Sequence, residues 1–353
     1  MEVVIRTDGS REIGTGHVMR CLTLARELRS KSSGIFFICR KLPGDMIDMI
    51  RDQGFTVFAF AAENWREDSE KTAKIIEKII SDRVEAPGWL VVDHYNLDRD
   101  WQEKIRLKVK RVMVIDDLGD RNHRCDLLLD QNLFDNMESH YASLVNSDCR
   151  LLLGPSYALL RPEFRQARKN LRKRDGRVNR IMIFMGGSDP ANLTQVAIEA
   201  LNMVGRKDIM IDVVVGINNP HREKIREICA AGNNLVYHCQ VNNMAELMAG
   251  ADLAIGARGS ATWERCVLGL PAITIAIADN QEGGRKSSLL NKAEYYLGTR
   301  EEVDSVMIAE AAKALIDDRG ALLEMGQEAY RIMEGSECGP ERVVEEMIKD
   351  INN

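Results

Sequence analysis

A histidine that follows two closely spaced glycines, where a strand-like run gives way to a helical one, is the feature of this sequence best suited to chemistry. The run Val3 to Arg6 leads into Thr7-Asp8-Gly9-Ser10-Arg11-Glu12-Ile13-Gly14-Thr15-Gly16-His17. Val18, Cys21, Leu22, Ala25 and Leu28 then recur at helical spacing. Gly14 and Gly16 permit a tight turn and close backbone approach. The first N–H groups of the helix lack intrahelical acceptors, so the turn favours an anion or a polar ligand. The positive end of the helix dipole opposes protonation, which suits an uncharged His17 to accept a proton. A histidine that only caps or packs the turn fits the same position. The third glycine of the dinucleotide fingerprint is missing, so NAD binding is not inferred and no cofactor is expected.

Three more loops carry polar groups after strand-like runs. Gly186-Gly187-Ser188-Asp189-Pro190 follows Arg180 to Met185 and precedes a helix starting near Asn192. It reads as a ligand-facing glycine loop or as a turn with Ser188 or Asp189 as the N-cap. Between Leu253 to Ile255 and a helix reaching about Leu268, Gly259 and Ser260 can present N–H groups to a phosphate. Glu264, one turn on, offers two oxygens that could accept both hydroxyls of a ribose, or it stabilises the helix start. Asp279-Asn280-Gln281 follows the last apolar strand; amide side chains suit sugar hydroxyls or acetamido groups and also suit capping. Further candidates are Asp93-His94-Tyr95, Asp116-Asp117 and Arg161. Asp116 and Asp117 diverge if their strand continues. His94, His123, His140, His221 and His238 show no zinc-like spacing, so no metal is expected.

The elements that must position these loops alternate between short apolar strands and helical patterns, the mark of parallel sheets with crossover helices. The first series of strands is Val3 to Arg6, Ile35 to Cys39, Thr56 to Phe60, Trp89 to Val92, Arg111 to Ile115 and Leu127 to Leu129. The second is Arg180 to Met185, Ile211 to Val215, Leu235 to His238, Leu253 to Ile255 and Ala272 to Ile277. Helical patterns follow at Ala309 to Ile316, Ala321 to Met333 and Val343 to Ile351. The expected division is an α/β domain over 1–164, a basic linker over 165–178 read as a solvated helix and linker, and a second α/β domain with a helical tail over 179–353. Ligands of such open sheets bind outside the carboxyl ends of the strands, so a cleft lined by both sets of loops is expected.

Composition narrows the function classes. The chain has 353 residues with 48 Lys plus Arg against 54 Asp plus Glu, a net charge of -6, and 45% hydrophobic residues. This is a globular balance, and it argues against a general nucleic-acid binder, which carries a broad basic excess. No apolar run approaches the roughly 18 residues needed to span a bilayer, so no membrane insertion is expected. Met1 to Arg6 passes straight into a strand-like pattern without the regions of a secretory signal, and the eight cysteines include no Cys-x-x-Cys pair. A cytoplasmic protein with reduced core thiols is expected.

Taken together, the motifs resemble the UDP-sugar hydrolases of pseudaminic acid biosynthesis, relatives of the inverting glycosyltransferases of the cell-wall lipid II type. The resemblance is carried by Ile13 to Leu22, Val92 to Tyr95, Ile115 to Asp117, Gly154 to Arg161, Met185 to Asp189, Ala251 to Gly256 through Gly269 to Pro271, and Asp279 to Gln281. It implies two Rossmann-like α/β domains facing a cleft, the glycosyltransferase-B type. It also implies hydrolysis of UDP-2,4-diacetamido-2,4,6-trideoxy-β-L-altropyranose to UDP and the free sugar, with inversion and without a metal. His17 corresponds to the base, Glu264 to the uridine ribose site, Gly259-Ser260 to the diphosphate turn, and Tyr95 and Asn280 to sugar-side positions. Gly14, Gly16, Arg161, Gly186, Gly187, Ser188 and Gln281 complete the expected substrate and UDP contacts. Arg258 stands where the family more often has Gly, and Gly335 to Pro340 only loosely follows the usual C-terminal pattern. The competing readings are an inverting UDP-sugar glycosyltransferase and a non-catalytic sugar-nucleotide-binding protein; fold alone does not separate them.

Overall fold

The computed structural model describes residues 1–83, 85–278, 281, 287–336 and 339–352. The chain divides into two compact units, Met1–Leu159 with Cys338–Asn353, and Leu160–Glu337.

The first unit begins with β1 (Glu2–Thr7), α1 (Gly16–Leu28), β2 (Gly34–Arg40), α2 (Ile47–Asp52), β3 (Thr56–Phe60) and α3 (Trp65–Arg83). It continues through β4 (Trp89–Asp93), α4 (Arg99–Arg106), β5 (Arg111–Ile115), β6 (Leu127–Asp130), α5 (Met137–Tyr141) and β7 (Arg150–Leu153). The seven strands are all parallel, in the order β3-β2-β1-β4-β5-β6-β7. Successive side chains of a strand face opposite sides, so each strand feeds two cores. Val3, Ile5, Trp89, Val91, Met113, Ile115, Leu127 and Leu129 pack with α1. Val4, Leu90, Val92, Val112, Val114 and Leu128 pack on the other face, with Ile76 and Ile79 of α3 and Trp101 of α4. The same alternation sorts the polar residues at the strand ends. Asp93 and Asp117 fall on the α1 side, and His94, Asp116 and Asp130 on the α3 side. The strand order reverses between β1 and β4, where ligand sites of such sheets lie. The connections after these strands lead to His17, at the first turn of α1, and to Tyr95.

The second unit opens with α6 (Pro162–Lys169), β8 (Arg180–Phe184), α7 (Leu193–Val204), β9 (Met210–Val215), α8 (Arg222–Ala231), β10 (Leu235–Cys239) and α9 (Met244–Gly250). There follow β11 (Leu253–Ala257), α10 (Ala261–Val267), β12 (Ala272–Ala276), α11 (Leu290–Ala293), β13 (Glu294–Thr299), α12 (Ser305–Asp317) and α13 (Arg319–Ile332). Its strands form a six-stranded parallel sheet in the order β10-β9-β8-β11-β12-β13. The order reverses between β8 and β11, whose loops carry Gly186 to Ser188 and Gly259 to Glu264.

Two expected boundaries are corrected. The basic stretch 165–178 belongs to the second unit: it starts within α6 and keeps Lys169, Lys173 and Arg177 exposed, while Arg168, Arg172 and Arg174 close helix C-termini. Arg174 donates to the carbonyls of Met248, Ala251, Leu268 and Gly269, and Arg172 to those of Gly250 and Ala251. Arg168 donates to Val267 O at 2.7 Å and stacks on the Tyr330 ring at 3.5 Å. The last carbonyls of α9 and α10 have no intrahelical donors and carry partial negative charge, so these guanidinium groups satisfy them. Burial lowers the Arg174 pKa to about 10.

The end of the chain also departs from expectation, because α14 (Gly339–Asn352) belongs to the first unit. Val343, Val344 and Met347 are buried in the α1-side core, and Trp89 Nε1 donates to Met347 O at 3.0 Å. Gly339 is required here, since a Cβ would lie 2.2 Å from the Ala158 carbonyl oxygen. Met347→Ala is expected to lower the unfolding free energy by about 2 to 5 kcal/mol, from lost burial and the cavity left behind. Urea denaturation followed by tryptophan fluorescence checks this, and an unchanged midpoint would show that α14 is not part of the core.

Candidate active site

The loop before α1 is fixed by its own backbone. Ser10 and Gly14 exchange hydrogen bonds at 3.3 and 2.9 Å, and Ser10 Oγ accepts from the N–H groups of Glu12 and Ile13. Gly14 has φ +83°, the left-handed region that favours glycine, with open space where a Cβ would stand. Gly16 is the first residue of α1, and no side chain caps that helix. His17 therefore enters at the first turn, 6% exposed.

The His17 ring is held by a carboxylate. Its Nδ1 lies 2.5 Å from Asp93 Oδ1, a separation that requires a proton between the two atoms. Nδ1 then carries hydrogen, and the lone pair of the neutral ring lies on Nε2, which no described residue hydrogen-bonds. The Tyr95 ring meets the imidazole edge-on with centroids 4.5 Å apart. Asp93 is fully buried and is also gripped by Arg20, whose Nε and Nη2 donate to its two oxygens at 2.6 Å each. Arg20 Nη1 donates to Asp117 at 3.0 Å, and Asp117 hydrogen-bonds Tyr95. Burial works against the Asp93 charge, yet Arg20 and His17 hold its carboxyl well below the usual range. Burial and the neighbouring carboxylates raise the Tyr95 phenol far above its ordinary value, so it stays protonated. An argument from the helix dipole alone leaves out this carboxylate. Asp93 stands in the quoted Asp93-His94-Tyr95 motif, and the signal that singles it out is strand parity at the end of the strand beside β1.

The other face of the sheet carries a separate network. Asp8 accepts from Arg6, Arg40 and His94, and Arg6 also pairs with Asp68. His94 thus turns away from His17; its Nδ1 accepts from Asn96 N at 2.9 Å. Asp116 accepts from Gly119 N, Arg121 and Tyr141, so the two adjacent aspartates do diverge. The Tyr141 hydroxyl lies 3.0 Å from Asp116 and 2.9 Å from Asp130, and burial pushes the Asp130 carboxyl up to about 7. One hydroxyl proton cannot serve two carboxylates, so a protonated Asp130 completes this arrangement. Among the described residues, no group of three or more His, Cys, Asp or Glu is gathered as if to hold a metal ion.

In the second unit the loop after β8 is folded on itself. Gly186 has φ +88°, and the loop after β9 approaches so closely that a Cβ on Gly216 would lie 2.1 Å from Gly187 O. Asp189, 2% exposed, accepts from the N–H groups of Leu193 and Thr194 at 2.9 Å and from Thr194 Oγ1 at 2.6 Å. This carboxylate occupies the start of α7, while Ser188 stays half-buried beside it. No side chain caps α10, and Ser260 is exposed ahead of it. Gln281 lies over this turn, with its Nε2 3.1 Å from where a Gly259 Cβ would stand, and its Oε1 accepts from Ile277 N. Glu264 Oε1 accepts from Arg161 Nε at 3.1 Å and Nη2 at 2.9 Å. Burial raises the Glu264 pKa and the Arg161 charge opposes that shift. Gly259, Ser260, Glu264, Arg161 and Gln281 thus gather around one strand-to-helix connection. Asn280 and Asp279 lie outside the described residues. Arg258 points into the unit, where its Nε donates to Glu294 at 2.5 Å and its guanidinium lies over the Tyr296 ring.

The glycosyltransferase family 28 C-terminal domain matches residues 181–329. The chain is 30% identical over 283 residues to the UDP-2,4-diacetamido-2,4,6-trideoxy-β-L-altropyranose hydrolase of Campylobacter jejuni, covering 80% of this chain and 94% of that protein. It is 28% identical over 281 residues to an uncharacterised protein of Methanocaldococcus jannaschii, covering 78% of this chain but 55% of that relative, so it spans about half of the latter's length. The crystal structure of MurG from Acinetobacter baumannii superposes with a TM-score of 0.67 at 13% identity, covering 99% of both chains. That likeness establishes the fold as two α/β domains of the glycosyltransferase-B type. The chain belongs to the family of the UDP-2,4-diacetamido-2,4,6-trideoxy-β-L-altropyranose hydrolase.

Proposed function

We propose that this protein hydrolyses UDP-2,4-diacetamido-2,4,6-trideoxy-β-L-altropyranose to UDP and the free diacetamido sugar, as a step of pseudaminic acid biosynthesis in the cytoplasm. The observation that carries the reading is the His17–Asp93 pair. It sets the imidazole tautomer so that the Nε2 lone pair can take a proton. The Campylobacter jejuni relative, by its name, acts on the same substrate.

In this reading Nε2 of His17 removes a proton from water as the water oxygen bonds to the anomeric carbon. The bond from that carbon to the β-phosphate oxygen breaks, its electron pair leaves with UDP, and the configuration inverts. No metal and no cofactor takes part. Glu264, held by Arg161, accepts the ribose hydroxyls. The N–H groups of the Gly259-Ser260 turn take the diphosphate and stabilise the charge gathering on it, a role in which preorganised donors are effective. Gln281 and Asn280 serve the sugar or the diphosphate, and Tyr95 lies on the sugar side beside His17. Gly14 and Gly16 let the backbone before His17 approach the substrate. Gly186, Gly187 and Ser188 are assigned to the same ligand. Asp189 already neutralises the start of α7, so this loop acts through its backbone shape and Ser188.

The family 28 match favours a second reading, in which an acceptor hydroxyl replaces water. UDP release from the sugar nucleotide in buffer alone supports hydrolysis. Release only after an acceptor is added supports transfer, and intact ligand after long incubation supports a binding protein. His17→Asn is expected to lower turnover by roughly 10² to 10⁴ while leaving UDP affinity close to that of the unaltered protein, as read by calorimetry. Equal turnover would remove His17 from the base role. Glu264→Ala is expected to weaken UDP binding about tenfold or more and to abolish discrimination between UDP and 2′-deoxy-UDP, with kcat little changed. Retained discrimination would place the ribose elsewhere.

A further inference from the structure

We infer that Arg20 is a positioning residue for the base: it neutralises Asp93, so that this carboxylate orients His17 without retaining its proton. The inference rests on the reading of His17 as the base. Arg20 lies one turn after His17 on α1 and is 7% exposed. All three of its nitrogen groups are committed, with Nε and Nη2 on Asp93 and Nη1 on Asp117. Its Nη2 also stands 3.1 Å from His17 Nδ1, close enough for its charge to bear directly on the ring.

The groups that face the imidazole can be counted element by element. From α1 come Arg20 and Cys21, whose Sγ lies 3.5 Å from Asp93 Oδ2. From β4 comes Asp93, and from the loop after it Tyr95, which stays a neutral phenol. From the loop after β5 comes Asp117, reached through Arg20 and Tyr95. Burial also keeps the Cys21 thiol protonated. Among the described residues, Arg20 is the cation hydrogen-bonded to Asp93, set against two carboxylates, while Arg121 lies over the Tyr95 ring at 6.0 Å from its centroid. A lone buried aspartate beside a histidine stabilises the imidazolium and so opposes release of the proton. An aspartate already paired in a bidentate fork keeps its directional hydrogen bond while much of its field is cancelled. A lysine supplies the charge without the fork.

The test uses the full chain, with histidine labelled at the ring carbons and the His17 signal assigned by its loss in His17→Asn. In Arg20→Met and Arg20→Gln the pH midpoint of the His17 resonance is expected to move upward by about one unit or more, as for removal of a cation within contact distance. The acidic limb of kcat/KM for UDP release should move by the same amount. Arg20→Lys is expected to leave both midpoints close to those of the unaltered protein while lowering kcat through lost orientation. If Arg20→Met does not fold, Arg20→Gln, which keeps one donor for Asp93, carries the same expectation. A folded neutral variant with an unmoved midpoint would overturn the inference, and so would Arg20→Lys shifting as far as the neutral variants. The resonance titration needs no turnover. Absence of UDP release from the unaltered protein would therefore count against the hydrolase reading, whereas an unmoved titration alongside normal release would count against Arg20 alone.

Discussion

One carboxylate, Asp93, carries the organisation of the first unit's functional end. It is the last residue of β4 and fully buried; a guanidinium takes both of its oxygens and an imidazole shares one of them, the two groups coming from successive turns of α1. An ionised carboxylate in that position is tolerable only because it is paired and hydrogen-bonded. The pairing ties the end of β4 to the start of α1, and through Arg20 and Asp117 it reaches the end of β5 as well. The turn closed by Ser10 and Gly14 completes the restraint by delivering His17 at the first residues of the helix. Orientation of the His17 ring and integrity of the strand ends are thus one problem with one solution.

The second unit solves a different electrostatic problem, the handling of helix ends. Arg168, Arg172 and Arg174 cover the C-termini of α9 and α10, and Asp189 covers the N-terminus of α7. The turn before α10 has no side-chain cap and lies beside Glu264 with its Arg161 partner and Gln281. Arg258 is buried, with its Nε on Glu294 and its guanidinium over the Tyr296 ring.

Much of this was legible from residue types and spacing. Apolar runs located eleven strands to within a residue or two, and the glycines before His17 and Ser260 marked both strand-to-helix connections. Two strands escaped notice for physical reasons. Both are edge strands: β7 (Arg150–Leu153) buries only Leu152, and β13 (Glu294–Thr299) mixes a buried Glu294 with an exposed Tyr295. In the basic stretch 165–178 Lys169, Lys173 and Arg177 are exposed as their charge suggests, whereas Arg168, Arg172 and Arg174 bind backbone carbonyls, partners that charge in a sequence does not reveal. The Asp93–His17 contact joins residues 76 positions apart, which no local pattern reports. It becomes visible only when strand order places β4 beside β1 and the two-residue alternation turns Asp93 toward α1.

The account turns on which bond water breaks. Running the reaction in ¹⁸O-labelled water and analysing both products by mass spectrometry, with the first-formed anomer followed by NMR, measures this directly. The account predicts that the label enters the sugar at its anomeric oxygen, that UDP stays unlabelled, and that the first anomer has inverted configuration. Label on the β-phosphate of UDP, or retained configuration, would contradict it.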